Sequence, residues 1–208
     1  MADKKGKRYV SDNAPSKSKY NTPENVCIAL TAFIIEIRKQ LATLRAYDNI
    51  FHNSPCNNAF MQQAYDSIWR ELSSEIARIF DKANTGSNEN CTLLRLKELC
   101  YSKEYIFLFP NDENNGLLQS LEKVFELYNQ LPIEKSRNKQ LAHHDLKQVT
   151  VGECIELSLE QIEQLIEDLT DVFAKIRTRF YFGVFEVTFV DYNVLVEQFE
   201  KDIKKLIE

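Results

Sequence analysis

The sequence contains few of the residues that interrupt regular secondary structure. Five glycines and five prolines occur among 208 residues, too few for the many turns of a β-sandwich or β-barrel. No apolar run approaches the ~20 residues that a membrane-spanning helix needs. The polar, charged first twenty residues also lack the apolar segment of a signal peptide. These absences predict a soluble, cytoplasmic protein, whose 44% hydrophobic residues suffice for a sizeable core.

The cysteine pattern excludes two further classes of protein. The five cysteines form an odd number and contain no CxxC pair, so neither a disulfide framework nor a zinc cluster is predicted. We expect them to be small apolar residues in a reducing compartment. They are Cys27, Cys56, Cys91, Cys100 and Cys154.

The net charge of −5 argues against a protein that coats nucleic acid through bulk charge. Its distribution is uneven, because residues 1–22 hold six basic and two acidic side chains, a net charge of +4 that leaves −9 for the remainder. Residues 1–22 are therefore predicted to form a flexible basic arm, which is either simply solvated or touches nucleic acid. Residues 23–208 are predicted to form a single domain.

Apolar residues at spacings of three and four predict a mainly α fold. A hydroxyl cap and a proline, Thr22 and Pro23, begin the first helix, and Ser158 with Gln161 resembles a capping box. Asp191 is a candidate cap for the closing helix. The predicted helices cover residues 23–47, 58–82, 92–103, a stretch from 117, 132–145, 158–182 and 191–207.

At most two short strands are predicted. IFLF at 106–109 fits either a short strand or a buried link, and VFEVTFV at 184–190 alternates like a strand. Residues 84–90, NTGSNEN, are predicted to break the chain between two helices.

One segment, SRNKQLAHHD at 136–145, carries chemistry. Arg137 offers a planar, permanently charged fork suited to a phosphate. His143 and His144 are two of only three histidines, and imidazole exchanges protons near neutral pH. The predicted helix start adds N–H groups that favour an anion.

The charge around this segment is positive in an otherwise acidic chain. Between residues 135 and 148 four basic side chains oppose only Asp145, which gives a net charge of +3. An arginine that holds a phosphodiester and a histidine that moves a proton suffice for RNA transesterification, because the 2′-OH is the nucleophile. The chemistry requires neither a metal nor another cofactor.

A second pair has similar spacing. Arg45 and His52, in RAYDNIFH, are also separated by six residues, so spacing alone is a weak signal. We interpret this pair as an exposed helix end followed by a loop histidine.

RNKQLAHHD resembles the Arg-x(4–6)-His motif of the HEPN superfamily, including the polar residue after the arginine, here Asn138. Together with WRELSSEIARIFD at 69–81 it resembles, more narrowly, the abortive-infection U-type (AbiU-like) HEPN proteins. Only these two segments are specific, although the order of helices is similar over about residues 25–200.

The resemblance implies a HEPN-type helical bundle that forms a homodimer, with two motifs facing one composite cleft. It implies a metal-independent endoribonuclease of phage defence or of a toxin–antitoxin system, with RNA as substrate and an antitoxin or defence-system protein as a further partner. Some relatives have lost catalysis, so the alternative is an inactive HEPN module that binds RNA, a nucleotide or a protein.

Carried over to this sequence, the resemblance assigns Arg137 to the scissile phosphate and Asn138 to positioning or substrate contact. Lys135 and Lys139 are predicted to bind substrate. The residue that transfers protons is His143 by resemblance, whereas helical geometry favours His144, about 20° from Arg137 against about 120° for His143. We take His143 as the acid–base residue and His144 as its helper or as a second ligand to the substrate.

Three further residues have two open roles each. Asp145 either orients a histidine or pairs with a basic residue across the dimer. Arg78 and Asp81, which match the earlier segment of the family, either border the cleft or form an ion pair with each other at the helix surface.

Overall fold

The computed structural model describes residues 22–52, 58–85, 88–109, 116–134, 157–181 and 189–207. Its α-helices are α1 (Pro23–Phe51), α2 (Ala59–Ile79), α3 (Leu93–Cys100), α4 (Leu117–Gln130), α5 (Leu159–Phe180) and α6 (Tyr192–Ile207). A 3-10 turn covers Ile106–Leu108, and Ile133 and Glu134 are also helical. These elements confirm the predicted mainly α fold.

The first helix begins as predicted but ends later. The Thr22 side chain accepts a hydrogen bond from the Asn25 N–H at 3.4 Å, and Pro23 occupies the first helical position. The predicted end near Tyr47 is wrong, because the helix continues to Phe51. No proline or glycine lies between these positions, and the Tyr47 ring packs against the Phe51 ring at 4.5 Å, which stabilises the added turn.

The remaining helices assemble around α1. α2 runs antiparallel to it, because Tyr65 meets Tyr47 near one end while Arg78 lies over Phe33 near the other. α4 packs on α5, and α3 contacts both α1 and α4.

α5 and α6 lie along α1 in opposite directions. At its two ends, α5 contacts α1 through Glu163 with Arg45 and through Arg177 with Thr31, which makes it antiparallel. α6 is parallel to α1, since the carbonyl of Val190 accepts a hydrogen bond from buried Arg38 at 2.7 Å and Glu200 accepts one from Asn49. Burial lowers the pKa of Arg38.

The main core lies between α1, α2, α3, α4 and α5. A smaller cluster joins α1 and α2 to α6 and consists of Ala42, Ala46, Tyr47, Met61, Val196 and Ile203. Within the described ranges, no helix is both long and apolar enough to span a bilayer. The largest fully buried side chains include Phe173, Leu30, Ile34, Ile37, Leu41, Leu44, Leu72, Ile76, Ile79, Leu93, Leu96 and Leu121.

The caps predicted for the two last helices are confirmed. Ser158 and Gln161 form the complete capping box at the start of α5. The Asp191 carboxylate accepts a hydrogen bond from the Asn193 N–H at 2.8 Å at the start of α6.

A short strand pair occurs where a break was predicted, and one of the two predicted strands is absent. The break at 84–90 contains a two-residue antiparallel pair, Asn84–Thr85 (β1) with Asn88–Glu89 (β2), while IFLF forms a 3-10 turn instead of a strand. Phe109 anchors that turn by packing edge-on against Phe180. Residues 184–188 of VFEVTFV lie outside the described residues, as does the basic arm at 1–21.

The cysteines in the described ranges lie in the main core or pack against it, as expected for small apolar side chains. Cys27 and Cys100 are buried and Cys91 is half-buried. Burial raises the pKa of Cys100 to about 12 and that of Cys27 still further. Both thiols are therefore protonated at neutral pH and serve as apolar filling. Cys56 and Cys154 lie outside the described residues.

A pair of phenylalanine substitutions tests this core. Phe173 is fully buried, whereas the Phe60 side chain is 75% exposed. We expect Phe173→Ala to lower the free energy of unfolding by about 3–5 kcal/mol, and Phe60→Ala to change it by about 0.5 kcal/mol or less. Chemical denaturation of both variants measures these values, and equal effects would show that the core is wrongly placed.

Candidate functional site

The residues of the predicted motif lie outside the described part of the chain. They are Lys135, Arg137, Asn138, Lys139, His143, His144 and Asp145. The structure does place the two points between which this segment runs. The described chain stops at Glu134, directly after fully buried Ile133, and resumes at Leu157, twelve residues beyond Asp145, next to the capping box of α5.

An aromatic junction brings the end of α2 to the end of α4. Phe80, at the C-terminal cap of α2, stacks face to face on Tyr128 at 4.1 Å, with the two rings 2° from parallel. It also packs edge-on against Phe125 at 5.5 Å. Because Tyr128 lies five residues before buried Ile133, the junction fixes α2 relative to the point from which the motif segment starts.

Arg78 lies in the last turn of α2, two residues before this junction. Its guanidinium lies over the Phe33 ring, 4.8 Å from the centroid, and its Nη2 is 3.3 Å from Oε2 of Glu75. The side chain is nevertheless 57% exposed. Two contacts therefore orient the guanidinium while leaving donors open to solvent.

The predicted ion pair between Arg78 and Asp81 is wrong. Arg78 instead pairs with Glu75, three residues before it in α2. Because α2 ends at Ile79, Asp81 is not on the helix and does not have the i, i+3 geometry that the prediction required. The Asp81 carboxylate instead accepts a hydrogen bond from the Lys82 N–H at 2.7 Å. The other predicted role, at the border of a cleft, stays open for Arg78.

Arg45, the arginine of the second spaced pair, is held by carboxylates of α5. Its Nε donates to Glu163 Oε1 at 2.7 Å, its Nη2 donates to the other oxygen of Glu163, and a further bond of 3.0 Å reaches Glu160. The Tyr192 hydroxyl donates to Glu163 at 2.8 Å. The hydrogen bonds to Glu163 raise the pKa of Arg45, and burial raises that of Tyr192.

The interpretation of Arg45 as an exposed helix end is wrong. α1 extends beyond it to Phe51, and the Arg45 and Glu163 side chains are 22% and 17% exposed. His52 is exposed at the C-terminal cap of α1, as expected. Sequence reasoning missed this ion-pair cluster because its partners are 115 or more residues apart along the chain, and no short spacing predicts such a contact.

Two adjoining clefts of about 400 and 410 Å³ flank Arg45. Glu160 lines both, Glu163 and Glu167 line the first, and Asp48 lines the second. With Arg45 already neutralised by two carboxylates, these clefts repel phosphate. Within the described ranges, no group of three or more His, Cys, Asp or Glu side chains is placed to bind a metal ion.

The fold is thus a helical bundle in which the ends of α2 and α4 meet at one aromatic junction, and a helical bundle is the class predicted from the HEPN resemblance. The sequence model of the HEPN_AbiU2 family (AbiU2) matches residues 25–206, which include both specific segments. The chain therefore belongs to the AbiU2 family of HEPN proteins. No curated protein and no solved structure matches it.

Substitution of Arg45 tests its structural role. Arg45→Ala leaves the partly buried Glu163 without its cation, so we expect a loss of about 2 kcal/mol in the free energy of unfolding. Arg70→Ala, which removes an exposed arginine of α2, is the matched control and should cost about 0.5 kcal/mol or less. Chemical denaturation measures both, and an Arg45→Ala variant as stable as the control would contradict the ion-pair cluster.

Proposed function

We propose that this protein is an endoribonuclease that cleaves RNA by general acid–base transesterification without a metal cofactor. The observation that carries the proposal is the AbiU2 family match, which spans the motif segment RNKQLAHHD. Arg137 binds and stabilises the scissile phosphate, His143 transfers protons, and His144 assists it. Asn138, Lys135 and Lys139 contact or position the RNA.

The reaction balances without any further reagent. A base removes the proton of the ribose 2′-OH, O2′ attacks the neighbouring phosphorus, and the P–O5′ bond breaks as the leaving oxygen takes a proton from an acid. The products are a 2′,3′-cyclic phosphate and a 5′-OH. Arg137 stabilises the charge that develops on the phosphate oxygens, because a guanidinium binds two of them at once.

The structure supports this assignment because it makes the second spaced pair, Arg45 and His52, unsuitable for binding a phosphate. Arg45 has the same spacing to a histidine, but its guanidinium is occupied by Glu160 and Glu163 beside acidic clefts. A phosphate at Arg45 would have to displace two carboxylates. The segment at 135–148 has a net charge of +3, which favours a phosphate.

The proposal includes a homodimer, since one cleft then receives two motifs and can use one histidine as base and another as acid. Its setting is phage defence or a toxin–antitoxin system, with an antitoxin or defence protein as a partner. Membership of an abortive-infection family supports that setting.

Variants of the motif test the proposed chemistry. Incubated with total RNA in EDTA, the wild type is expected to cut, and Arg137→Ala or His143→Ala to cut at least about 100-fold more slowly. Fragment ends are then examined for the cyclic phosphate. The His144→Ala variant separates the two histidines, because loss of a helper slows cleavage less than loss of the acid–base residue.

Two matched controls change the same side chains elsewhere. His52→Ala removes the exposed third histidine and Arg70→Ala an exposed arginine, and both should cut like the wild type. The proposal is wrong if the wild type cuts no RNA in EDTA, or if Arg137→Ala cuts as fast as Arg70→Ala. RNA binding without cleavage would instead favour the inactive binding module.

A further inference from the structure

We propose that residues 193–207 of α6 separate from the rest of the bundle as one unit, while the chain just before them stays attached to the main core. This opening is a conformational device of the fold, and it does not depend on the proposed function. Three observations lead to it: α6 buries few residues, most of the helix packs on the smaller cluster, and its beginning is tied to the main core.

α6 buries much less of its surface than α5 does. Two of its sixteen residues are buried, Val196 and Ile203, and they keep 8% and 7% of their surface exposed. α5 buries ten of its twenty-two residues, including Phe173, which has no exposed surface. Because apolar packing supplies most of the stability of a helix in a protein, α6 is held less firmly than α5.

The apolar contacts of this part of α6 belong to the smaller cluster and not to the main core. Val196 and Ile203 pack with Ala42 and Ala46 of α1 and with Met61 of α2. The first cleft, of about 400 Å³, opens between this part of α6 and α5. The helix can therefore leave its place without exposing the main core, which is the condition for a local opening that is separate from global unfolding.

The beginning of α6 is attached differently, because it contacts the main core. Phe189 and Tyr192 both pack against that core. Buried Arg38 donates a hydrogen bond to the Val190 carbonyl at 2.7 Å, and its guanidinium lies 5.6 and 6.0 Å from the centres of the two aromatic rings. The Tyr192 hydroxyl also donates to Glu163 of α5 at 2.8 Å. These contacts place the hinge at Tyr192, so that the part that opens follows it.

The opening extends an apolar strip along α1. Ile28, Ile35 and Ala42 follow at intervals of seven residues, which places them on one side of the helix. Ile28 and Ile35 are 58% and 40% exposed, whereas Ala42 and Ala46 are fully buried in the cluster with α6. The position of α6 therefore determines whether the exposed strip ends after Ile35 or continues to Ala46.

Amide hydrogen exchange of the full-length protein, followed by NMR at several urea concentrations below the unfolding transition, tests the opening. Amides from Phe199 to Ile203 should share one rate of opening and exchange at least about 100-fold faster than those from Leu165 to Phe173 in α5. Their exchange should also depend less on urea, because opening one helix exposes less surface than global unfolding does.

Two matched isoleucine substitutions separate local from global opening. Ile176, in α5, is fully buried, and Ile203 is buried under α6. Ile176→Val should speed exchange in α5 by about twofold to tenfold and leave α6 unchanged, because α5 stays folded when α6 opens. Ile203→Val should speed exchange in both helices, because its contact is lost in the open state and in the unfolded state alike.

The opposite results would overturn the inference. They are equal exchange of α6 and α5 at every urea concentration, or acceleration of both helices by Ile176→Val, since either shows that α6 opens only when the whole protein unfolds. Rates that rise steadily from Val196 to Ile207 would also overturn it, because they show fraying from the helix end. Cleavage of RNA is measured separately, so failure of this inference leaves the proposed function standing.

Discussion

Burial of one continuous apolar side of α1 is the constraint on which the bundle depends. Over 29 residues this helix presents Val26, Leu30, Ile34, Leu41 and Leu44 to the core, each with almost no exposed surface. α2, α3, α5 and α6 all pack against it. Because hydrophobic burial is the largest favourable contribution to folding, a break in this side of α1 would release several helices together.

Two polar contacts of α1 then fix the positions of neighbouring helices. Arg45 fixes the beginning of α5 through Glu163, and buried Arg38 fixes the entry to α6 through the carbonyl of Val190. The described chain resumes just before α5, after the stretch 135–156 that contains the motif segment. Arg45, the arginine of the second spaced pair, thus belongs to the scaffold that fixes the helix after that stretch.

Local chemistry made much of the fold predictable. The caps at Thr22, Ser158 and Asp191 act within three residues, so their identities in the sequence suffice to place three helix starts. The hairpin at β1 and β2 and the 3-10 turn at Ile106–Leu108 are too short for a hydrophobic period to appear.

The candidate site also has one part that the sequence predicts and another that only the fold shows. The motif was recognisable because its residue types are adjacent in the sequence and match a family. The pairing of Arg45 with Glu163 and the stack of Phe80 on Tyr128 join distant segments, and only the fold shows them. The contacts of Arg45 identify it as a structural arginine, which the number of residues between arginine and histidine cannot do.

The most direct test of the account is to map where RNA touches the protein. RNA carrying 4-thiouridine can be photo-crosslinked to the full chain, and the modified peptides identified by mass spectrometry. We predict crosslinks in the segment 135–147. Crosslinks confined to the clefts around Arg45 and the beginning of α5 would contradict the account, as would an absence of crosslinks.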